Sequence, residues 1–169
     1  SKEKFKSIDV FINNAGTWSE TPILKSTSDE IDSLFNNILK TTILGTKIAG
    51  TEINSGGSII NLGSVTGIIP ERGTLAYGSS KAAFMFATKV MANELAAYKI
   101  RVNAIAPSVT RTKMSDQMEE GARNFLIEQS FLNRECSTNE VADLVLYLAS
   151  DKSTYLNGQV IRLDGGMKN

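Results

Sequence analysis

Apolar positions along the chain fall into two kinds of run. Residues 8–12, 58–62, 101–106 and 159–163 are short, rich in β-branched residues and bounded by turn formers, so each predicts a strand. Between them apolar residues recur at helical spacing. Thr27 and Glu30 read as a capping box opening a helix through Ile31, Leu34, Phe35, Ile38 and Leu39 to about residue 49. A second helix is predicted over 75–98, and Ser137 with Glu140 caps a third that runs to Ala149. Residues 112–134 are amphipathic, with Met114, Met118, Phe125, Leu126 and Phe131. The turn Asn54-Ser55-Gly56-Gly57 precedes the second strand, and the order reads β-α-β-α-β-α-α-β. Strands without polar alternation, separated by helices, predict an α/β protein with a parallel sheet covered on both faces. In the 75–98 helix, Ala82, Phe84, Phe86, Val90, Met91 and Leu95 form more than one narrow stripe, which predicts burial by the sheet and by a partner subunit.

Composition narrows the function. The 169 residues suit one domain, 1–169, with 41% hydrophobic content. Eighteen basic against 18 acidic residues argue against nucleic-acid or anionic-membrane partners. No apolar run approaches the roughly 18 residues of a membrane span. Residues 1–8 are charged and lack the apolar core of a signal peptide, and the single cysteine, Cys136, fits a reducing compartment, so a cytoplasmic location is expected. The chain has no histidine, which removes Ser-His-Asp chemistry and, with one cysteine, argues against a zinc site; no metal is expected.

Candidate chemistry concentrates between residues 64 and 81. Ser64 ends the second strand, Tyr77 follows 13 residues later, and Lys81 lies four beyond it on the same helix face. A phenol titrates near pH 10, and an ammonium a few Å away can lower that by roughly 1–3 units. Ser64 could donate to a substrate oxygen while Tyr77 gives or takes its proton. Asn13, Ser64 and Pro107 all close predicted strands, and parallel sheets bind ligands beyond their carboxyl ends.

The set Asn13-Asn14-Ala15-Gly16, Ser64, Tyr77-Gly78-Ser79-Ser80-Lys81, the segment from Arg101 to Ser108 with Thr112, and Asn157-Gly158 into Asp164-Gly165-Gly166 resembles the C-terminal two-thirds of the short-chain dehydrogenase/reductase family, including its 3-oxoacyl-ACP reductase-like members. The resemblance implies a Rossmann-like, doubly wound, three-layer α/β/α domain whose first βαβαβ half is missing. It implies an NAD- or NADP-dependent oxidoreductase that transfers hydride to or from a carbonyl or secondary alcohol: a small ketone, a sugar or a 3-oxoacyl thioester. Tyr77 would be the acid/base, Lys81 would lower its pKa and hold the nicotinamide ribose, and Ser64 would hold the substrate oxygen. Asn13, Ala15, Gly16, Pro107, Val109 and Thr112 would bind cofactor, and residues 112–134 would form a mobile substrate lid. Asp164-Gly165-Gly166 reads as turn geometry. A homodimer or homotetramer is implied.

Two departures qualify the resemblance. The family's Thr-Gly-x-x-x-Gly-x-Gly phosphate loop is absent from these residues, so weak dinucleotide binding, an inactive fragment and an exposed first strand are expected. The position of the family's active-site asparagine falls at Ile38. Asn37 could replace it only if the helix is locally distorted; otherwise Asn36 and Asn37 are solvated. A non-catalytic assembly module is therefore the second reading, and a Rossmann-like methyltransferase, which leaves the Ser64, Tyr77 and Lys81 trio unexplained, the third.

Overall fold

The computed structural model describes residues 7–168. Most of the charged segment 1–8, and both ends of the expected domain 1–169, lie outside the described residues. Strands β1 (Ile8–Asn13), β2 (Ile53–Leu62), β3 (Arg101–Pro107) and β4 (Val160–Leu163) form one parallel sheet in the order β1-β2-β3-β4. The helices are α1 (Ser28–Leu34), α2 (Thr41–Glu52), α3 (Leu75–Leu95), α4 (Glu120–Gln129) and α5 (Thr138–Ala149).

The apolar strand residues alternate between two cores. Ile59 and Val102 pack with Ala49 of α2 and Ala92 of α3, while Ile60 and Ile105 pack with Leu148 of α5. Helices on both faces of a parallel sheet make the three layers of a Rossmann-like fold. Each core side chain is buried, so the absence of polar alternation in the strands has a direct cause.

Three local features differ from the periodicity. First, β2 begins at Ile53, ahead of the predicted turn. Ile8 pairs with Ile53, then the register jumps so that Val10 pairs with Ser58. The turn residues 54–57 form an outward bulge inside the strand, and Gly56 takes the positive φ of +93° that it needs. Second, the helix expected over 28–49 extends to Glu52 and contains a π-helical stretch, Phe35–Lys40, between α1 and α2. The Thr41 N–H and hydroxyl both donate to the Asn36 carbonyl, five residues back, which holds the wide turn. Third, the 75–98 helix tightens to a 3₁₀ turn, Ala96–Tyr98, at its end.

The capping signals act locally. Ser137 and Glu140 form the full reciprocal box. Thr27 accepts from the Glu30 N–H, while the Glu30 carboxylate accepts from the hydroxyls of Ser19 and Thr21, tying the loop before α1 to its first turn. Strand β1 pairs with β2 alone among the described residues, with Val10 37% and Ile12 45% exposed. No helix among those residues is long and apolar enough to cross a membrane.

Candidate active site

Strand β2 delivers Ser64 to the carboxyl edge of the sheet. The Gly63 N–H still donates to the Ile105 carbonyl (2.6 Å), after which the chain turns. Ser64 caps the 3₁₀ turn Val65–Gly67, its hydroxyl accepting from the Thr66 N–H at 3.2 Å. Gly67 is required there: a Cβ would stand 2.8 Å from the backbone of Lys81 and Ala82. The turn thus packs directly on α3 and brings Ser64 beside Tyr77 on the cavity wall, near enough for its hydroxyl to lower the phenol's pKa.

Tyr77 and Lys81 lie one turn apart on α3, both about 7% exposed. Tyr77 packs on Leu34 and Ile38, with Trp18 alongside. The Lys81 Nζ donates to the Leu62 carbonyl at 2.8 Å and lies 5.9 Å from the centre of the Tyr77 ring and 5.2 Å from that of Phe84. The expected depression of the Tyr77 pKa is corrected by this geometry. Burial raises it, the Ser64 hydrogen bond lowers it by less, and the nearby Glu71 carboxylate raises it further. Lys81 is desolvated too, and burial lowers its pKa to about 8.

A cavity of about 890 Å³ opens over these groups. Ser64, Tyr77 and Lys81 line it, with Ala15 and Gly16 on one side and Pro107, Val109 and Thr112 on the other. Gly16 stands beside the ammonium, where a Cβ would make ordinary contact at 4.0 Å from Lys81 Nζ. An open strip of small residues beside a cation fits the hydroxyl-rich half of a nicotinamide nucleotide. Thr112 is held in a turn in which the Ser115 N–H donates to its hydroxyl at 3.4 Å.

Asn13 stands apart from the cavity wall. Its amide donates to Asn61 Oδ1 (2.8 Å) and Thr46 Oγ1 (3.0 Å), and Asn61 in turn donates to Thr88 (3.0 Å). These bonds tie the end of β1 to β2, α2 and α3. Gly45 permits them, because a Cβ at that position would fall 2.4 Å from Asn13 Oδ1. Asn14, its neighbour, takes the lining position.

The helix distortion that Asn37 would need is present as the π turn, yet Asn37 stays exposed and donates to Ser33 Oγ at 3.1 Å. Asn36 is exposed as well, and Ile38, 1% exposed, packs against Tyr77. Residues 112–134 contribute Met114, Ser115, Met118 and Leu126 to the wall, while Phe125 and Phe131 face solvent. The Asp164-Gly165-Gly166 turn has positive φ at both glycines and receives the Ser130 hydroxyl on the Gly165 carbonyl, which anchors the end of α4.

Residue-level reading of the sequence missed Thr66 and Glu71. Both line the cavity, and the Thr66 hydroxyl donates to Glu71 Oε2 at 3.4 Å. Burial raises the Glu71 pKa, the Thr66 bond lowers it by less and Glu20 adds to the rise. The only sequence signal was an acidic residue inside a Pro-Glu-Arg-Gly turn.

Known proteins resemble the chain throughout. A family model described as enoyl-(acyl carrier protein) reductase matches residues 1–168. The chain is 38% identical to the 3-oxoacyl-[acyl-carrier-protein] reductase FabG of Thermotoga maritima, over 98% of this chain and 68% of that protein. It is 34% identical to the trans-4-hydroxycyclohexanecarboxylate dehydrogenase of Sinomonas cyclohexanicum, over 97% of this chain and 62% of that one. Among solved structures, a short-chain dehydrogenase from Burkholderia cenocepacia in complex with NADP superposes with a TM-score of 0.92 at 28% identity, covering 98% of this chain and 67% of the other. A short-chain dehydrogenase/reductase from Serratia marcescens gives 0.91 at 29% identity with the same coverage.

Proposed function

Given that the chain belongs to the short-chain dehydrogenase/reductase family of oxidoreductases, we propose that its cavity serves hydride transfer between NAD or NADP and a carbonyl or secondary alcohol. The observation that carries this reading is the meeting of Ser64, Tyr77 and Lys81 on one cavity wall. The nicotinamide, when bound, supplies or accepts the hydride. Tyr77 Oη gives its proton to the substrate oxygen in reduction and recovers it in oxidation. Ser64 Oγ orients that oxygen. Lys81, with one N–H held by the Leu62 carbonyl, turns its remaining donors towards the cofactor. Ala15, Gly16, Pro107, Val109 and Thr112 would hold the nicotinamide half; Asn13 supports them from behind through its bonds to Asn61 and Thr46.

The substrate class is a small ketone, a sugar or a 3-oxoacyl thioester. The apolar wall of Met114, Met118 and Leu126 and the similarity to the Thermotoga 3-oxoacyl-[acyl-carrier-protein] reductase favour the thioester. Residues 112–134 act as its lid. The exposed apolar residues Ile43 and Ile48 on α2 and Phe86 and Val90 on α3 support a homodimer or homotetramer through those helices, and the single cysteine supports a cytoplasmic location. The 169 residues contain no glycine phosphate loop, so alone they bind dinucleotide weakly. The buried Ile38 at the family's asparagine position favours a second reading, a non-catalytic assembly module.

Calorimetric titration with NADH and NADPH separates the two. Micromolar binding would overturn the expectation of weak binding and, followed by ketone- or thioester-dependent oxidation of NADPH that Tyr77→Phe abolishes, would support the enzyme. Failure to bind at millimolar concentration removes catalysis by this chain and leaves the assembly module.

A further inference from the structure

The proton that Tyr77 gives away must be replaced, and Tyr77 is only 7% exposed, reached from the cavity it lines. Leu34 and Ile38 cover it on the helix side, and neither can carry a proton. On the other side stands a continuous line of exchangeable groups. Tyr77 and Ser64 line the same cavity, with the Ser64 hydroxyl near enough to lower the phenol's pKa; Ser64 Oγ lies 3.2 Å from Thr66 Oγ1, and Thr66 Oγ1 lies 3.4 Å from Glu71 Oε2. We propose that Glu71 is the outer end of a proton wire that serves Tyr77 through the hydroxyls of Thr66 and Ser64, an inference that rests on the acid/base role given to Tyr77 above.

The wire is built rather than incidental. Ser64 is fixed by the Thr66 N–H, and the turn at Glu71 is fixed by Thr74, whose hydroxyl and N–H both donate to the Glu71 carbonyl, at 2.8 and 3.3 Å. Each hydroxyl offers one donor and two acceptor sites, so the line can point either way. With Glu71 ionised, every O–H points outward to the carboxylate. With Glu71 protonated, the line reverses and points at Tyr77. Glu71 is only half-buried, so its outer side can exchange protons with water.

The transfer balances. When Tyr77 has protonated a substrate oxygen, the phenolate takes the Ser64 proton, Ser64 takes that of Thr66, and Thr66 takes that of Glu71. Three O–H bonds break and three form, leaving a neutral phenol and a carboxylate, which water reprotonates. Oxidation runs the sequence backwards. The charged groups facing the line are Glu20 from the loop before α1 and Lys81 from α3. Burial and Glu20 raise the Glu71 pKa, which brings the carboxyl towards the range useful for relay.

The test needs no cofactor, so it can fail while turnover succeeds, and succeed while turnover fails. Tyrosine labelled with ¹³C at Cζ reports each phenol by NMR, and Tyr77→Phe assigns the resonance. In the unaltered chain the Tyr77 signal should step as Glu71 titrates, at a pH above the ordinary carboxylate range. Glu71→Gln should abolish the step. Thr66→Val, which keeps the side-chain shape without the hydroxyl, should abolish it as well, and Thr66→Ser should retain it. A step that survives Thr66→Val would mean that Tyr77 feels Glu71 through space, and the wire would be wrong. A step that survives Glu71→Gln, or no step in the unaltered chain, would equally overturn it.

Discussion

Replacing Lys81 with methionine should make the protein more stable while ending its chemistry. Lys81 is 7% exposed and donates to the Leu62 carbonyl, and burial lowers its pKa from 10.5 to about 8. At about 1.4 kcal/mol per unit, holding the charged form in the fold costs roughly 3 kcal/mol. Methionine has similar length and no charge. It loses the bond to Leu62 O, worth about 1 kcal/mol, so a net gain of about 2 kcal/mol at pH 7 is expected. The pH dependence fixes the sign. Below pH 8 both folded and unfolded chains carry the proton, and the full penalty applies. Between pH 8 and 10.5 the unfolded chain binds the proton more tightly than the folded one, so stability contributed by this lysine rises with pH. Tyr77 and Cys136, whose pKa values burial raises, work the other way at high pH but are present in both proteins. Urea unfolding of the two proteins from pH 7 to 10.5 measures the difference. The gap should close as pH rises. A variant less stable than the parent at pH 7, or a gap independent of pH, would refute the reasoning.

Other outcomes follow from single contacts. Asn13→Leu leaves the fully buried Asn61 without its donor and should cost about 1–3 kcal/mol in urea unfolding. Phe84→Ala empties the core beside Met85, Ala104 and Ala106 and should cost about 3–5 kcal/mol, read as a lower thermal midpoint. Gly67→Ala drives a Cβ to 2.8 Å from the α3 backbone and 2.5 Å from Met85 Cε. It should cost about 1–3 kcal/mol and shift Ser64 relative to Tyr77, which the Tyr77 ¹³Cζ shift reports. Phe86→Glu on the exposed face of α3 should convert an oligomer to monomer by light scattering, with unfolding free energy per chain otherwise little changed.

Much of this molecule is written locally. Strand runs without polar alternation specify a parallel sheet because both faces are covered, and Ile59 and Ile60 do point into opposite cores. The four-residue spacing of Tyr77 and Lys81 fixes their shared helix face by covalent geometry alone. The strand-end positions of Ser64 and Pro107 bring them to one cavity for the same kind of reason. The Ser137 capping box is equally local, since donor and acceptor lie three residues apart.

Only the tertiary structure decided the rest, because those properties depend on what covers a group rather than on what precedes it. Spacing places an ammonium near a phenol and so suggests a lowered pKa. The packing of Leu34 and Ile38 over Tyr77, and the nearness of Glu71, set the opposite direction, since desolvation outweighs the lowering influence of Ser64. A local distortion was the condition for Asn37 to turn inward. The π turn supplied the distortion and still put Ile38 inside, because the face towards Tyr77 is apolar and an amide there would lose water without gaining a partner. Asn13 bonds Asn61, which is 48 residues away, and Glu71 joins the cavity wall through the Thr66 hydroxyl of the turn that packs on α3. The chain's own order carries no trace of such distances.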